Sequence, residues 1–215
     1  MDQETRHKMG TQALDLARSC DYSTTGTVEF LMDKNKDFYF LEMNTRLQVE
    51  HPITEEITGI DLVEQQILIT AGYPLKFKQE DVKIKGHSFE YRVYAEDPGR
   101  KFLPSIGFLK KYKEPREHEN IRIDTGVEEG SEISMYYDPM ISKLITWGKD
   151  RKEAMDLLKD AMDEYVIRGV THNIGFGNSI LKNEAFRSAQ YSTAFIPEYY
   201  PQGFLGDPLT ISDHK

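Results

Sequence analysis

The residues best suited to chemistry come directly after a short apolar stretch, Phe38–Leu41. The next eleven residues, Glu42–Pro52, contain two carboxylates, two amides, a guanidinium and an imidazole. Carboxylate and amide oxygens at the end of a strand suit a hard cation such as Mg²⁺ and the phosphates that it carries. The arginine and the second glutamate are suited to holding an oxyanion and to acting as a base. The run therefore predicts a polar site on a rigid strand edge.

Two strands are predicted to position this run. Thr27–Asp33 alternates its side chains, and a turn-prone link joins it to a second strand, Asp37–Asn44. The two segments are therefore predicted to form a hairpin. A turn centred on the link places Leu31 opposite Phe40.

The same register places Glu29 opposite Glu42. Opposed like charges destabilise a sheet, and at about 5 Å with an effective dielectric constant near 20 their repulsion is roughly 3 kcal/mol. Because Asn44 lies two residues beyond Glu42, it projects from the same face. These three residues are a candidate set of oxygen ligands for a divalent cation. A solvated acidic face, or carboxylates paired with Lys or Arg, is the alternative that the pattern leaves open.

Composition limits the class of protein. The chain has 215 residues, of which 39% are hydrophobic and 29% charged, which predicts a soluble globular protein with one large domain or two small ones. A net charge of −9 with dispersed basic residues argues against nucleic acid and anionic membrane surfaces as partners. The lone Cys20 excludes an internal disulfide, and we expect it to be a small core residue.

The patterns predict an α+β chain in which the order helix, strand, strand, loop and helix is followed by a boundary near 77–85. The first helix has about five turns, and the second begins near Asp61 and stops at Gly72. Further strands are expected at Phe89–Ala95, Phe108–Lys113, Ile121–Thr125 and Ile141–Trp147, and further helices from Asp150 and over Asn173–Leu181. The tail from Pro197 is expected to fray or to lead into a linker.

Arg92 lies on one of these strands. Because it shares a face with Glu90, the pattern is as consistent with a same-face ion pair as with binding of an oxyanion. No His or Cys spacing typical of a zinc site is present.

Several ordered stretches resemble the second half of the biotin carboxylase family, and the similarity extends to about Phe204. The stretches are Gly26–Phe30, Phe40–Glu55, Glu90–Asp97, Leu103–Ser105, Tyr136–Leu144 and Arg168–Asn173. The resemblance implies an ATP-grasp enzyme that makes carboxyphosphate from ATP and bicarbonate and then carboxylates N1 of biotin.

The resemblance also implies roles for individual residues. Glu29, Glu42 and Asn44 would hold Mg²⁺ or Mn²⁺ against the ATP phosphates. Arg46, Gln48 and Val49 would bind bicarbonate. Arg46, Glu50 and Arg92 would be catalytic, with Glu50 as the base and Arg92 steadying the biotin enolate.

On this interpretation residues 1–82 are the C-terminal part of an ATP-grasp domain. Residues 83–205 are a biotin carboxylase C-terminal domain of mixed, mainly antiparallel strands plus helices, and 206–215 are a tail or linker. Family chains begin with a nucleotide-fold domain and a lid carrying phosphate-binding lysines. The sequence contains neither these nor an Ala-Met-Lys-Met biotinylation motif, so we expect an inactive fragment that can form a homodimer.

The resemblance implies partners for the full subunit: a biotin carrier domain and a carboxyltransferase beta subunit. It implies the mitochondrial matrix as its location, although the polar N-terminal residues are unlike a targeting segment. Two alternatives stay open: another ATP-grasp ligase, such as one making carbamoyl phosphate, or a non-catalytic assembly module.

Overall fold

The computed structural model describes residues 1–204 and Gly206. The chain divides into two compact units, one from Met1 to Ile84 and the other beginning at Lys85. Each unit combines helices with antiparallel strands, so the predicted α+β class is confirmed. The predicted tail, residues 206–215, lies outside the described residues except for Gly206. None of the described helices combines the length and the apolar composition needed to cross a membrane.

The first unit contains three α-helices and one hairpin: α1 (Gln3–Ser19), β1 (Thr27–Met32), β2 (Phe38–Asn44), α2 (His51–Thr58) and α3 (Leu62–Thr70). Asp61 begins α3 as predicted, because its carboxylate accepts a hydrogen bond from the Glu64 amide at 2.8 Å. The sequence interpretation treats the α2 segment as a loop, which is wrong. Pro52 fits the first turn of this short helix, and Gly59 ends it with a φ of 72°.

The hairpin has the predicted register at its functional end and a different one near its turn. Glu29 is paired with Glu42, as predicted, but the register shifts after Glu29 so that Phe30 is paired with Phe40. The expected pairing of Leu31 with Phe40 is therefore wrong. The cause is a β-bulge, an extra residue that local sequence patterns do not reveal.

Cys20 also differs from its prediction, since it is exposed. It lies just beyond the last residue of α1, and its thiol contacts the Leu16 carbonyl oxygen at 3.5 Å. No residue of α1 is buried, so this helix offers Cys20 no core to enter.

The second unit is built on a three-stranded antiparallel sheet in which β10 (Met140–Gly148) lies between β3 (His87–Tyr94) and β8 (Ile121–Thr125). Its strands are β3 (His87–Tyr94), β4 (Glu96–Asp97), β5 (Leu103–Pro104), β6 (Gly107–Phe108), β7 (Lys111–Lys113), β8 (Ile121–Thr125), β9 (Glu132–Ile133), β10 (Met140–Gly148) and β11 (Val166–Arg168). Its helices are α4 (Arg151–Glu164), α5 (Ile174–Lys182), α6 (Glu184–Arg187) and α7 (Phe195–Tyr199). The remaining strands form three two-stranded sheets, which pair β11 with β7, β4 with β5, and β6 with β9.

The core of the second unit lies between this sheet and α4. Val93 and Leu144 from the sheet and Leu158 and Met162 from α4 are almost fully buried, and each contributes roughly 1.5–3 kcal/mol through burial. Gly169 allows the chain to approach β6 closely, because an added Cβ would lie 2.0 Å from the Phe108 carbonyl oxygen.

The residues after α7 pack against the unit as far as Phe204, so the expectation that the chain frays from Pro197 is wrong for that part. The Phe176 ring lies 5.0 Å from Tyr200 and 5.4 Å from Phe204, measured between centroids. Aromatic pairs at these separations are stabilising, and Phe176 itself is buried. The sequence prediction took Pro and Gly as signs of a tail and gave too little weight to the aromatic residues between them.

Candidate functional site

Two opposed carboxylates and one amide meet at the open end of the hairpin. The Asn44 Nδ2 group donates hydrogen bonds to Glu29 Oε1 at 2.8 Å and to Glu42 Oε1 at 3.1 Å. The Gln48 side chain donates to the same Glu29 oxygen at 2.8 Å. The Asn44 amide hydrogens, which carry partial positive charge, therefore contact both carboxylates and offset part of the repulsion between them.

This donor set fits a divalent cation. Two carboxylates face one space, and the Asn44 amide can present its oxygen there by rotating about its last bond. Mg²⁺ commonly takes only one or two carboxylates from a protein, with substrate phosphates and water as its other ligands. Among the described residues no group of three or more His, Cys, Asp or Glu side chains could hold a metal ion.

The segment after β2 carries the predicted anion-binding residues. Arg46 contacts the Leu47 carbonyl at 3.2 Å and the Asn44 side-chain oxygen at 3.5 Å, and its side chain remains exposed. Gln48 is connected directly to the carboxylate pair through Glu29. Val49 and Glu50 follow, and Glu50 is the N-cap residue of α2.

His51 holds this segment in place, a role that sequence reasoning missed. Its Nδ1 lies 2.7 Å from the Gln48 carbonyl oxygen, and because this oxygen can only accept, Nδ1 is the donor. The other ring nitrogen, Nε2, lies 3.9 Å from the carboxylate of Glu55. Glu55 is buried and accepts a hydrogen bond from the Leu62 amide at 2.7 Å. The start of α3 thus supports the turn that carries Glu50.

Arg92 belongs to the second unit, where it lies on β3. Its Nε group is 3.4 Å from the carboxylate of Glu90, whose side chain is 5% exposed. The ion pair suggested as the simple alternative is therefore present. The contact is made by the Nε group, and it orients the Arg92 side chain on β3.

A row of charges crosses the sheet at Arg92. Arg92 is paired across the strands with Lys143, and Lys143 with Asp124; the Lys143 ammonium lies 3.0 Å from the Asp124 carboxylate. Arg122 donates two further hydrogen bonds to that carboxylate. Burial raises the pKa of Asp124, but the hydrogen bonds from Arg122 and Lys143 outweigh burial and lower the pKa below its usual value.

The structure thus brings together five of the predicted site residues by direct contacts. These are Glu29, Glu42, Asn44, Arg46 and Gln48. Val49 and Glu50 adjoin them along the chain. Arg92 lies in the other unit, with its own set of charged neighbours.

Two family models together match most of the chain. The carbamoyl-phosphate synthase L chain, ATP binding domain matches residues 1–78, which include the hairpin. The biotin carboxylase C-terminal domain matches residues 90–198. The chain belongs to the biotin carboxylase family.

Curated relatives give the finer similarity. The chain is 56% identical over 216 residues to the mitochondrial propionyl-CoA carboxylase alpha chain of Mus musculus, covering 100% of this chain and 30% of that protein. It is 49% identical over 232 residues to the propionyl-CoA carboxylase alpha chain of Ruegeria pomeroyi, covering 99% of this chain and 34% of that protein. The chain thus spans well under half the length of these relatives.

Solved structures have the same fold. The biotin carboxylase domain of a thermophilic 2-oxoglutarate carboxylase bound to bicarbonate has a TM-score of 0.90 and 40% identity, covering 93% of this chain and 45% of that chain. A dimer of the Hydrogenobacter thermophilus domain in complex with MgADP and bicarbonate has a TM-score of 0.89 and 40% identity, covering 93% and 44%. Both structures are biotin carboxylase domains, which agrees with the family assignment.

Proposed function

We propose that the chain is part of an ATP- and bicarbonate-dependent biotin carboxylase, within a protein of the propionyl-CoA carboxylase alpha type. The observation that carries this proposal is the carboxylate pair Glu29 and Glu42, joined by the Asn44 amide and connected through Gln48 to the predicted bicarbonate-binding segment. The names of the similar proteins support the choice of reaction, and two similar structures are described with bicarbonate.

In this proposal Glu29, Glu42 and Asn44 hold Mg²⁺ or Mn²⁺ against the phosphates of ATP. When bound there, the ion would supply positive charge that neutralises the phosphates. Arg46 and Gln48 offer N–H donors to bicarbonate, and Val49 offers only its backbone for polar contacts.

Glu50 acts as the base that takes the bicarbonate proton while a bicarbonate oxygen attacks the terminal phosphorus of ATP. The products are carboxyphosphate and ADP. The carboxyl group then passes from carboxyphosphate to N1 of biotin, while inorganic phosphate leaves and takes the N1 proton. Arg92 stabilises the negative charge that develops on the biotin oxygen as N1 loses this proton. A guanidinium suits this role because it remains charged and offers two parallel donors.

We assign residues 1–82 to the C-terminal part of an ATP-grasp domain and residues 83–205 to the biotin carboxylase C-terminal domain. For the full-length protein we propose the mitochondrial matrix, a biotin carrier domain and a carboxyltransferase beta subunit. The names of the mammalian relatives support the location. A homodimer is supported by the description of one similar structure as a dimer.

The test uses the full-length protein that contains this chain. Biotin carboxylase activity requires ATP cleavage that depends on bicarbonate, together with incorporation of labelled bicarbonate into free biotin. Glu42→Gln should severely reduce both reactions at ordinary Mg²⁺ concentrations, because it removes half of the carboxylate pair. Glu80→Gln makes the same charge change at an exposed site of the first unit and serves as the control. Near-normal turnover of Glu42→Gln would contradict the proposal.

A ligase that makes carbamoyl phosphate is the second candidate, favoured by the match of residues 1–78 to the carbamoyl-phosphate synthase ATP-binding domain. Both candidates begin with bicarbonate-dependent ATP cleavage. If the full-length protein used ammonia in place of biotin and produced carbamoyl phosphate, the result would favour this second candidate.

A further inference from the structure

Asn173 makes an unusual set of contacts with the outer edge of β3. Its Nδ2 group donates to the Arg92 carbonyl oxygen at 3.0 Å, and its Oδ1 accepts from the Tyr94 amide at 3.0 Å. Its own amide donates to the Tyr94 carbonyl oxygen at 3.1 Å. One buried residue therefore satisfies three backbone groups of β3, as a neighbouring strand would.

These contacts lie on the side of β3 that faces away from the sheet. β3 is the first strand in the order β3, β10, β8, so only its other side is paired with β10. At Arg92 that partner is Lys143. The backbone that carries Arg92 is consequently held from both sides, by the sheet on one side and by Asn173 on the other.

Asn173 does not perform the usual task of its position. It is the N-cap residue of α5, yet its side chain makes no capping hydrogen bond. Asn183, at the start of α6, shows the usual arrangement, because its Oδ1 accepts from the Ala185 and Phe186 amides. The Asn173 amide group is directed to β3 instead of to its own helix.

A fourth contact fixes Asn173 itself. The Tyr91 hydroxyl donates to the Asn173 carbonyl oxygen at 2.7 Å, and burial raises the pKa of Tyr91, so this hydroxyl remains a donor at physiological pH. The same carbonyl oxygen also accepts from the Gly177 amide at 3.1 Å. Tyr91 adjoins Arg92 in sequence, so two neighbouring residues of β3 are both hydrogen-bonded to Asn173.

We infer that Asn173 is a positioning residue for Arg92 in biotin carboxylation: it fixes the backbone of β3 where the guanidinium must meet the biotin oxygen. The inference rests on the proposed function, which assigns the biotin step to Arg92. Asn173 acts through the backbone of Arg92 and is not proposed to touch biotin.

The test compares Asn173→Ala with Asn183→Ala in the full-length protein. Both changes remove an asparagine whose side chain bonds to backbone, but only the first touches β3. Asn173→Ala should lower kcat/KM for biotin by about 10- to 100-fold, the cost of a misplaced group, and leave biotin-free, bicarbonate-dependent ATP cleavage within about twofold. Asn183→Ala should leave both rates within about twofold.

Hydrogen exchange gives a readout that does not depend on activity. In Asn173→Ala the Tyr94 amide should exchange at least about tenfold faster, since it loses its acceptor, whereas the amides of β10 keep their exchange rates. Faster exchange with unchanged biotin kinetics would overturn the role of Asn173 and leave the proposed function intact. A parent protein that cleaves ATP without ever carboxylating biotin would overturn the proposed function instead.

Tyr91→Phe covers the case in which Asn173→Ala fails to fold. It removes one donor, and the Asn173 carbonyl oxygen keeps its bond from Gly177. We expect a loss of about threefold in kcat/KM for biotin, near the lower limit for one net hydrogen bond, with ATP cleavage unchanged. An equal fall in both rates, or no fall in either, would overturn the inference.

Discussion

Removing one charge from the carboxylate pair should stabilise the first unit while it abolishes cation binding. Glu42→Gln keeps the shape of the side chain and eliminates the repulsion of Glu42 with Glu29. Without a cation the two carboxylates repel each other, so we expect the pair to lower the stability of the protein in exchange for its function.

The structure sets the size of the effect. Both carboxylates have an oxygen bonded to the same Asn44 nitrogen, at 2.8 and 3.1 Å. These oxygens are therefore at most about 6 Å apart, where Coulomb's law gives roughly 3 kcal/mol at an effective dielectric constant of 20 and roughly 0.7 kcal/mol in water. Because Glu42 is exposed and Glu29 only partly buried, we expect the gain in free energy of unfolding to be about 1 kcal/mol.

Urea denaturation of the chain without divalent cations, at low and at high ionic strength, measures this gain. It should shrink at high salt, where exposed charges are screened. Millimolar Mg²⁺ with ATP should then stabilise the parent more than the variant, by linkage to binding.

Glu80→Gln again supplies the control. Its partner Lys78 is 3.9 Å away and both side chains are largely exposed, so its free energy of unfolding should change by close to zero. Loss of stability in Glu42→Gln, or equal stabilisation of both proteins by Mg²⁺ with ATP, would refute the assignment of the pair as a cation site.

Three further predictions concern other parts of the chain. In the full-length protein Glu50→Gln should slow bicarbonate-dependent ATP cleavage by about 10²–10⁴, whereas Arg92→Gln should reduce biotin carboxylation more than ATP cleavage; equal losses in both reactions for both variants would make the division of roles wrong. The folded-state pKa of Asp124 is lowered from 3.8, so its contribution to stability is complete above that value and is lost as the pH falls below it. Acid titrations of unfolding should therefore have a smaller slope below about pH 4 in Asp124→Asn, and an unchanged slope would contradict the ion-pair assignment. Residues 1–215 alone should melt cooperatively but not cleave ATP in response to biotin and bicarbonate, because the proposed cation ligands would contact only one side of a triphosphate. Cleavage at the rate of an intact carboxylase would show this reasoning to be wrong.

Local patterns were sufficient to predict the hairpin and the opposition of Glu29 to Glu42. Side chains alternate along strands with a period of two, so a turn position determines which residues meet. The bulge before Phe30 escaped prediction because an inserted residue leaves the composition of both strands ordinary. The α2 helix was missed because its eight residues give too few turns for helical periodicity to emerge.

The contacts of Arg92 were only partly predictable. Its pairing with Glu90 follows from alternation along one strand. The contacts with Asn173 join residues 79 to 82 positions apart in sequence, and no local pattern relates such positions. The family resemblance included Asn173 without indicating any role, since a resemblance marks a residue but not the groups that it touches.

The long sequence separation between β3 and Asn173 has a consequence for biosynthesis. Ribosomes add about 5–20 residues per second, so Asn173 follows Arg92 by roughly 4 to 16 s. During this interval the outer edge of β3 lacks the residue that covers it in the finished fold. An uncovered strand edge pairs readily with other chains, so the nascent protein is exposed to misassembly at this edge until the residue that precedes α5 has been added.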